Sequence, residues 1–269
     1  MTLSTKKQPI GVFDSGIGGL IALRKLAELL PEEDLLYLGD TARVPYGNRS
    51  AQTIIQYAQE CTRFLLDRSV KHILVACNTI TAVALGHVRQ IVPPAIRIID
   101  VIQPAVDVVM REKYQRIGVI GTRTTIQSGS YELEIQRRHS EYPITVHTQA
   151  CPLLVPIIEE GWETHVATEA IVTTYLSAIQ QAGVQALILG CTHYSFLAKT
   201  IQKILPDVHL IDSGAEAAKV VAQNFLTQPL QVSPERKIEC YLTDLTQDRA
   251  QQFLGFPVVI QKAEFGGFS

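Results

Sequence analysis

Two short stretches carry side chains able to move protons. Ile73-Leu74-Val75-Ala76-Cys77-Asn78-Thr79 ends an apolar run on a thiol and two small polar residues. Leu187-Ile188-Leu189-Gly190-Cys191-Thr192-His193 does the same and adds an imidazole. Each cysteine falls between an apolar run of strand length and the start of a helical segment. A helix N-terminus favours thiolate, and unpaired thiols there can titrate well below about 8.5. The alternative for each is a small buried hydrophobe, the usual fate of a lone cysteine. The shared placement favours chemistry. His193 stands two residues beyond Cys191, near enough to tune it as a cation or to relay a proton. A metal site from Cys77, Cys191 and His193 fits poorly, because C-x-H is not a usual zinc spacing. Cys61 on a helical stripe, Cys151 before Pro152 and Cys240 in a strand-like run read as packing residues, and the other six histidines read as ordinary.

Three further segments are rich in polar groups. Gly11-Val-Phe-Asp14-Ser15-Gly16-Ile-Gly18-Gly19-Leu20 is a glycine-rich turn between a strand and a helix. It is neither a Walker A loop nor G-x-G-x-x-G, since Ile17-Gly18 follow Gly16 and Ile21 takes the third glycine's place. Its exposed N–H groups suit a small anion such as a carboxylate; equally, it reads as a tight turn capped by Asp14 or Ser15. The stretch from Gly39-Asp40-Thr41 through Arg43, Pro45-Tyr46-Gly47 and Arg49 to Ser50 is a long polar loop, with Ser50 placed to cap the next helix. A loop of that length beside a sheet is more often a binding loop than a plain connection. Glu159 and Glu160, before Gly161-Trp162, read by default as exposed acids closing a helix.

The elements that must position these groups follow from periodicity. Apolar runs at Ile10-Phe13, Leu35-Leu38, Ile73-Ala76, Ile96-Ile99, Ile117-Ile120, Ala186-Leu189 and Val208-Ile211 predict strands buried on both faces. Helical stripes lie between them: Leu20, Leu23, Ala27 and Leu30; Ile54, Ala58, Cys61 and Leu65; Ile171, Tyr175, Ala178 and Ala182. This alternation predicts an α/β fold with mostly parallel sheet flanked by helices. Ligands bind such sheets beyond the C-terminal strand ends, where Asp14-Ser15, Asp40-Thr41, Cys77-Asn78, Gly121-Thr122 and Cys191-Thr192 all fall.

The chain also echoes itself. Gly11 and Gly118 stand in matching tetrapeptides 107 apart, Cys77 and Cys191 are 114 apart, and Asp100 and Asp212 end matching runs 112 apart. Three pairs in one order predict two similar, pseudo-symmetric halves with one thiol each, facing a shared cleft. The chain is expected to cross over after Asp100 and return after Asp212. That gives domain I as 1–100 plus 212–269, and domain II as 101–211.

Composition narrows the classes. The 269 residues hold 24 Lys+Arg against 26 Asp+Glu, a net charge of -2, so a general nucleic-acid binder is not expected. With 46% apolar and 19% charged residues, the chain is too apolar for disorder. No run is long enough for a membrane span, and Asp14, Ser15 and four glycines break the N-terminal apolar stretch, so neither a membrane partner nor a signal peptide is expected. Five cysteines without a CxxC pair read as reduced thiols in a cytoplasm.

Taken in order, these motifs resemble those of bacterial glutamate racemases. The resemblance rests on the glycine-rich turn, Tyr37-Leu-Gly-Asp40-Thr-Ala-Arg43-Val-Pro-Tyr46-Gly47-Asn-Arg-Ser50, Val75-Ala-Cys77-Asn78-Thr79, Gly118-Val-Ile-Gly-Thr122 through Ser128 to Tyr131, and Gly190-Cys191-Thr192-His193-Tyr194. It covers about residues 9 to 214; the last 50 residues match less distinctly. It implies cofactor-independent interconversion of L- and D-glutamate, supplying D-glutamate for peptidoglycan. It makes Cys77 and Cys191 the acid/base thiols and counts Asp14, His193 and Glu159 with the catalytic set, with Glu160 adjacent as an alternative to Glu159. Asp14, Ser15, Tyr46, Gly47, Asn78, Thr79, Thr192 and His193 would hold the substrate, and a homodimer is expected. Two departures stand out: Ile80-Thr81, where smaller residues are common, and Ser195, where proline is common.

The chemistry fits the residue types. Inversion at Cα needs a base on one face and an acid on the other, and two thiols that exchange roles meet that need. Competing readings are a racemase for aspartate, a Cys-His thiol hydrolase, and a binding protein with a retired site.

Overall fold

The computed structural model describes residues 8–138, 142–226, 236–245 and 247–265. The chain opens with β1 (Ile10–Asp14), α1 (Leu20–Leu29), β2 (Leu35–Gly39), α2 (Ala51–Leu66), β3 (His72–Val75), α3 (Asn78–Ile91), β4 (Arg97–Asp100) and α4 (Ile102–Arg111). It continues through β5 (Arg116–Gly121), α5 (Arg123–Gln127), α6 (Ser130–Arg137), β6 (Thr145–Ala150), α7 (Leu154–Glu159) and α8 (Val166–Gln181). Then come β7 (Ala186–Gly190), α9 (Ala198–Ile204), β8 (His209–Asp212), α10 (Ser213–Leu226), β9 (Ile238–Leu242), α11 (Gln247–Leu254) and β10 (Ile260–Lys262).

Two sheets result, and every described strand pair is parallel. One runs β10-β9-β2-β1-β3-β4 and the other β6-β5-β7-β8. The stretch β2-β1-β3-β4 has the same order as β6-β5-β7-β8, so the three sequence echoes fall on equivalent strands. Helices flank both sheets, giving the expected two-part α/β architecture. Strands β1 and β7 lie inside their sheets and are buried along their whole length, which is why they read as unbroken apolar runs.

Local chemistry sets the ends of the elements. Ser50 Oγ accepts from Thr53 N at 3.2 Å and starts α2, as its position predicted. Asp100 Oδ1 accepts from Ile102 N (2.9 Å) and Gln103 N (3.0 Å), while Asp212 Oδ1 accepts from Ala215 N (2.9 Å). The echoed aspartates therefore do one job twice: they turn the chain from a strand into a helix. Helix α1 has no side-chain cap and depends on packing. Burying Leu20, Leu23 and Leu26 contributes roughly 1.5–3 kcal/mol each.

The stripe predicted for α8 needs correction by one residue. Thr168, Val172, Leu176 and Ile179 are the buried set, whereas Ile171 and Tyr175 are half-buried and Ala178 is exposed. Apolar residues surround much of this helix, so periodicity alone does not choose between adjacent stripes. Among the described residues, no helix is long and apolar enough to cross a membrane.

Candidate active site

The polar residues at the C-terminal strand ends converge on one cavity, about 310 Å³ of empty space including its mouth. Cys77 and Cys191 both line it, with Ser15, Tyr46, Gly47, Asn78, Thr79, Thr192 and His193. Each thiol follows a buried strand directly, β3 with Ala76 and β7, in extended backbone (φ -81° at Cys77, -156° at Cys191). That geometry places both on the edge where the sheets face one another.

On the Cys77 side the surroundings discourage charge. Cys77 Sγ donates to Ser15 Oγ at 3.5 Å. Burial, reinforced by the nearby Asp14 carboxylate, pushes the thiol up to about 12, against help from Ser15 and the Ile80 N–H. From 9.0 to about 12 is about 4 kcal/mol against the thiolate. The depressed pKa expected from a helix start is therefore reversed at Cys77. Desolvation by burial outweighs the few hydrogen bonds that α3 supplies.

Asp14 does not line the cavity, so the structure sets it apart from the other residues predicted to touch substrate. It lies just behind, fully buried, with Oδ2 accepting from Gly16 N (3.2 Å) and Gly19 N (3.0 Å). Asp14 thus braces the tight turn from within, but neither it nor Ser15 caps α1, whose N-cap is Gly19 with no side-chain bond. Its Oδ1 has no hydrogen-bond partner. Burial raises the Asp14 pKa; the His193 charge and the backbone N–H groups oppose the rise.

On the Cys191 side a cation is held in place. His193 Nε2–H donates to Glu159 Oε1 at 2.5 Å, and Nδ1 faces Cys191 Sγ at 4.0 Å. A carboxylate only accepts, which sets the role of Nε2. Burial works to lower the imidazole's pKa, but the hydrogen bonds and charges of Cys191 and Glu159 outweigh it and carry it up to about 10. Glu159, not the exposed Glu160, is the partner. Glu159 thus departs from the default reading as a free surface acid. Close approach of the two halves depends on Gly18, where a Cβ would lie 2.5 Å from His193 Nδ1 and Thr192 Oγ1.

The lip over the cavity is tied from both sides. Asp40 Oδ2 accepts from Tyr46 OH and from Arg43 Nε (2.6 Å), and Thr243 Oγ1 donates to Asp40 Oδ1 at 2.9 Å. Across the cleft, Thr124 Oγ1 donates to the Gly47 carbonyl at 2.8 Å. Thr79, Thr122 and Thr125 hydroxyls lie 2.9–3.3 Å apart. Sequence reasoning put Thr122 at the right strand end but not in the site, and it missed Val155, which also lines the cavity. For Val155 no sequence signal existed. Cys61, Cys151 and Cys240 are free and buried away from the cavity lining, as expected of packing residues.

Two parallel sheets with a thiol from each lining one cavity suit an enzyme that works on a small molecule. Residues 10–221 match the sequence pattern of the Asp/Glu/Hydantoin racemase family. The chain belongs to that family and is an amino-acid racemase. It is 42% identical over 261 residues to a glutamate racemase of Syntrophus aciditrophicus, covering 94% of each chain. It is 44% identical over 236 residues to that of Persephonella marina, covering 87% of this chain and 88% of the relative. Its fold matches a crystal structure of glutamate racemase from Francisella tularensis in complex with D-glutamate, at a TM-score of 0.88 and 39% identity, covering 97% of this chain and 98% of that one.

Proposed function

We propose that this racemase interconverts L- and D-glutamate without a cofactor, with Cys77 and Cys191 as its two proton-transfer groups. The carrying observation is that one thiol from each half lines a single cavity. In one direction the thiolate of one cysteine takes the Cα proton, and the thiol of the other delivers a proton to the opposite face. The enzyme is left with thiol and thiolate exchanged, ready for the reverse direction. Charge gathers on the α-carboxylate as the Cα–H bond breaks. Donors held in place beforehand, such as the N–H groups starting α3 and the Thr79 and Thr192 hydroxyls, oppose that charge, at about 3 kcal/mol for a well-placed donor. His193 and Glu159 supply the counter-charge beside Cys191, and Asp14 sets the electrostatics of Cys77.

We take residues 1–100 with 212–269 as one domain and 101–211 as the other, a division supported by strand membership in the two sheets. Supply of D-glutamate to peptidoglycan is the role inferred from the resemblance. Five free, buried thiols support a reducing, cytoplasmic setting. Exposed Leu153, Trp162 and Val166 support an apolar contact in a homodimer.

A chiral assay tests the central reading. L-Glutamate should yield D-glutamate after dialysis against chelator and with no pyridoxal phosphate added, and L-aspartate should turn over far more slowly. Faster turnover of aspartate, or a cofactor requirement, overturns it.

A further inference from the structure

Asn78 lines the cavity, yet its side chain is not free to turn. It is 2% exposed and gripped at both ends. Nδ2 lies 3.0 Å from Ser213 Oγ, and Oδ1 lies 2.6 Å from Tyr131 OH. Ser213 Oγ in turn lies 2.9 Å from the Leu189 carbonyl oxygen. These contacts have one consistent direction. A carbonyl oxygen only accepts and a serine hydroxyl has one hydrogen, so Ser213 donates to Leu189 and must accept from Asn78. The Asn78 atom facing Ser213 is therefore the amide nitrogen, and the atom facing Tyr131 is the oxygen. Tyr131 donates to it, and burial keeps that phenol protonated. A flipped amide would set two oxygens without a hydrogen against one another at Ser213.

The grip comes from the far half of the molecule and its edge. Tyr131 lies on α6, Leu189 on β7 and Ser213 at the start of α10, while Asn78 begins α3. The Tyr131 ring lies over Gly190, where a Cβ would stand 3.2 Å from Tyr131 Cε2. Gly190 directly precedes Cys191, so the Tyr131 ring rests on the same strand end that carries the second thiol. An asparagine Nδ2 has two hydrogens, and Ser213 takes one. The second is the only side-chain donor Asn78 has left for a molecule in the cavity.

We propose that Tyr131 and Ser213 are positioning residues that hold the Asn78 amide with its remaining N–H ready to donate to a substrate carboxylate. This deepens the racemase reading and rests on an acidic amino acid as substrate. Without the grip, the amide rotates and must be ordered anew by each substrate. The expected signature is a rise in KM with kcat little changed.

The test is a double-mutant cycle between Asn78→Ala and Tyr131→Phe, repeated with Ser213→Ala. It is run on whichever of glutamate and aspartate the wild type turns over faster, so failure on glutamate counts against the proposed function alone. Tyr131→Phe should raise KM about tenfold, the worth of one hydrogen bond to a charged group. Adding Tyr131→Phe to Asn78→Ala should leave KM within about twofold of the Asn78→Ala value, because the residue acts only through Asn78. Ser213→Thr, which keeps the acceptor, should restore most of what Ser213→Ala loses. If the single effects multiply in the double variant, or if kcat falls while KM stays constant, the positioning role is wrong. Melting temperatures of all variants are recorded, and Ser213→Thr is the arm that remains decisive should Ser213→Ala fold poorly.

Discussion

Cys77 and Cys191 occupy equivalent places in two sheets of the same strand order, yet their surroundings differ in sign. Cys77 begins a fourteen-residue α-helix, and burial with the nearby Asp14 carboxylate holds it as a thiol against the Ser15 hydrogen bond. Cys191 begins only a 3-10 segment, Thr192–Leu197, and faces an imidazole whose pKa is raised by Cys191 itself and by Glu159. The two strands place their thiols alike, but the surroundings differ. Under the proposed two-thiol mechanism one group starts as base and the other as acid. In the substrate-free enzyme the His193 imidazole stands beside Cys191, while burial and the Asp14 carboxylate disfavour charge at Cys77.

The largest effect should come from removing either thiol. Cys77→Ser and Cys191→Ser are each expected to lower kcat/KM by at least about 10³-fold, because general acid–base catalysis is lost at one face. Each variant keeps one thiol and should exchange the Cα proton with deuterated solvent from a single enantiomer, with opposite choices for the two variants. Ordinary turnover by either variant breaks the comparison outright.

A smaller loss is expected from Glu159→Gln, which removes the charge beside His193 while preserving shape. L and D enantiomers have equal free energy, so kcat/KM must fall equally in both directions, here by about 10- to 100-fold, in line with 1.5–3 kcal/mol for a charged hydrogen bond. The asymmetry appears instead in the pH profile. His193 should lose its proton at lower pH in the variant, drawing the alkaline limb of kcat/KM downward. An unmoved limb separates Glu159 from the imidazole's charge.

The smallest effect is on stability. His193 has a folded pKa raised from 6.5 to about 10, so the folded state binds the extra proton between those values. Its contribution is complete below pH 6.5 and is lost as pH rises through about 10, at up to a few kcal/mol. Urea midpoints should therefore fall across that window in the wild type and fall less in His193→Gln.

Much of this was legible in the sequence because it depends on local pattern. Buried parallel strands print as apolar runs, and the echo of Gly11, Cys77 and Asp100 in Gly118, Cys191 and Asp212 marked equivalent strands. What escaped depends on partners remote in sequence. Strand β6, Thr145-Val-His-Thr-Gln-Ala150, is an edge strand and half-buried along most of its length, so no apolar run betrays it. Strand β10 is three residues long at the other sheet's edge, with only Ile260 buried, so it leaves no apolar run either. Glu159 became distinct from Glu160 only once α7 turned one of them toward His193. Cys77 looked like a helix-start thiolate because burial and the approach of Asp14 leave no trace in local sequence. The Tyr131–Asn78–Ser213 contacts join residues 53 and 135 positions apart, beyond any motif.

The difference between the two thiols can be measured directly. Limited alkylation of the substrate-free enzyme with iodoacetamide from pH 6 to 10, read by peptide mass, reports the thiolate at each position, with Asp14→Asn as a second arm. Labelling at Cys191 should lead labelling at Cys77 throughout the range. Asp14→Asn should bring Cys77 labelling to lower pH, since the variant removes the negative charge that helps raise it. Cys77 labelled first at neutral pH in the wild type, or an Asp14→Asn variant with unchanged Cys77 labelling, would contradict the account.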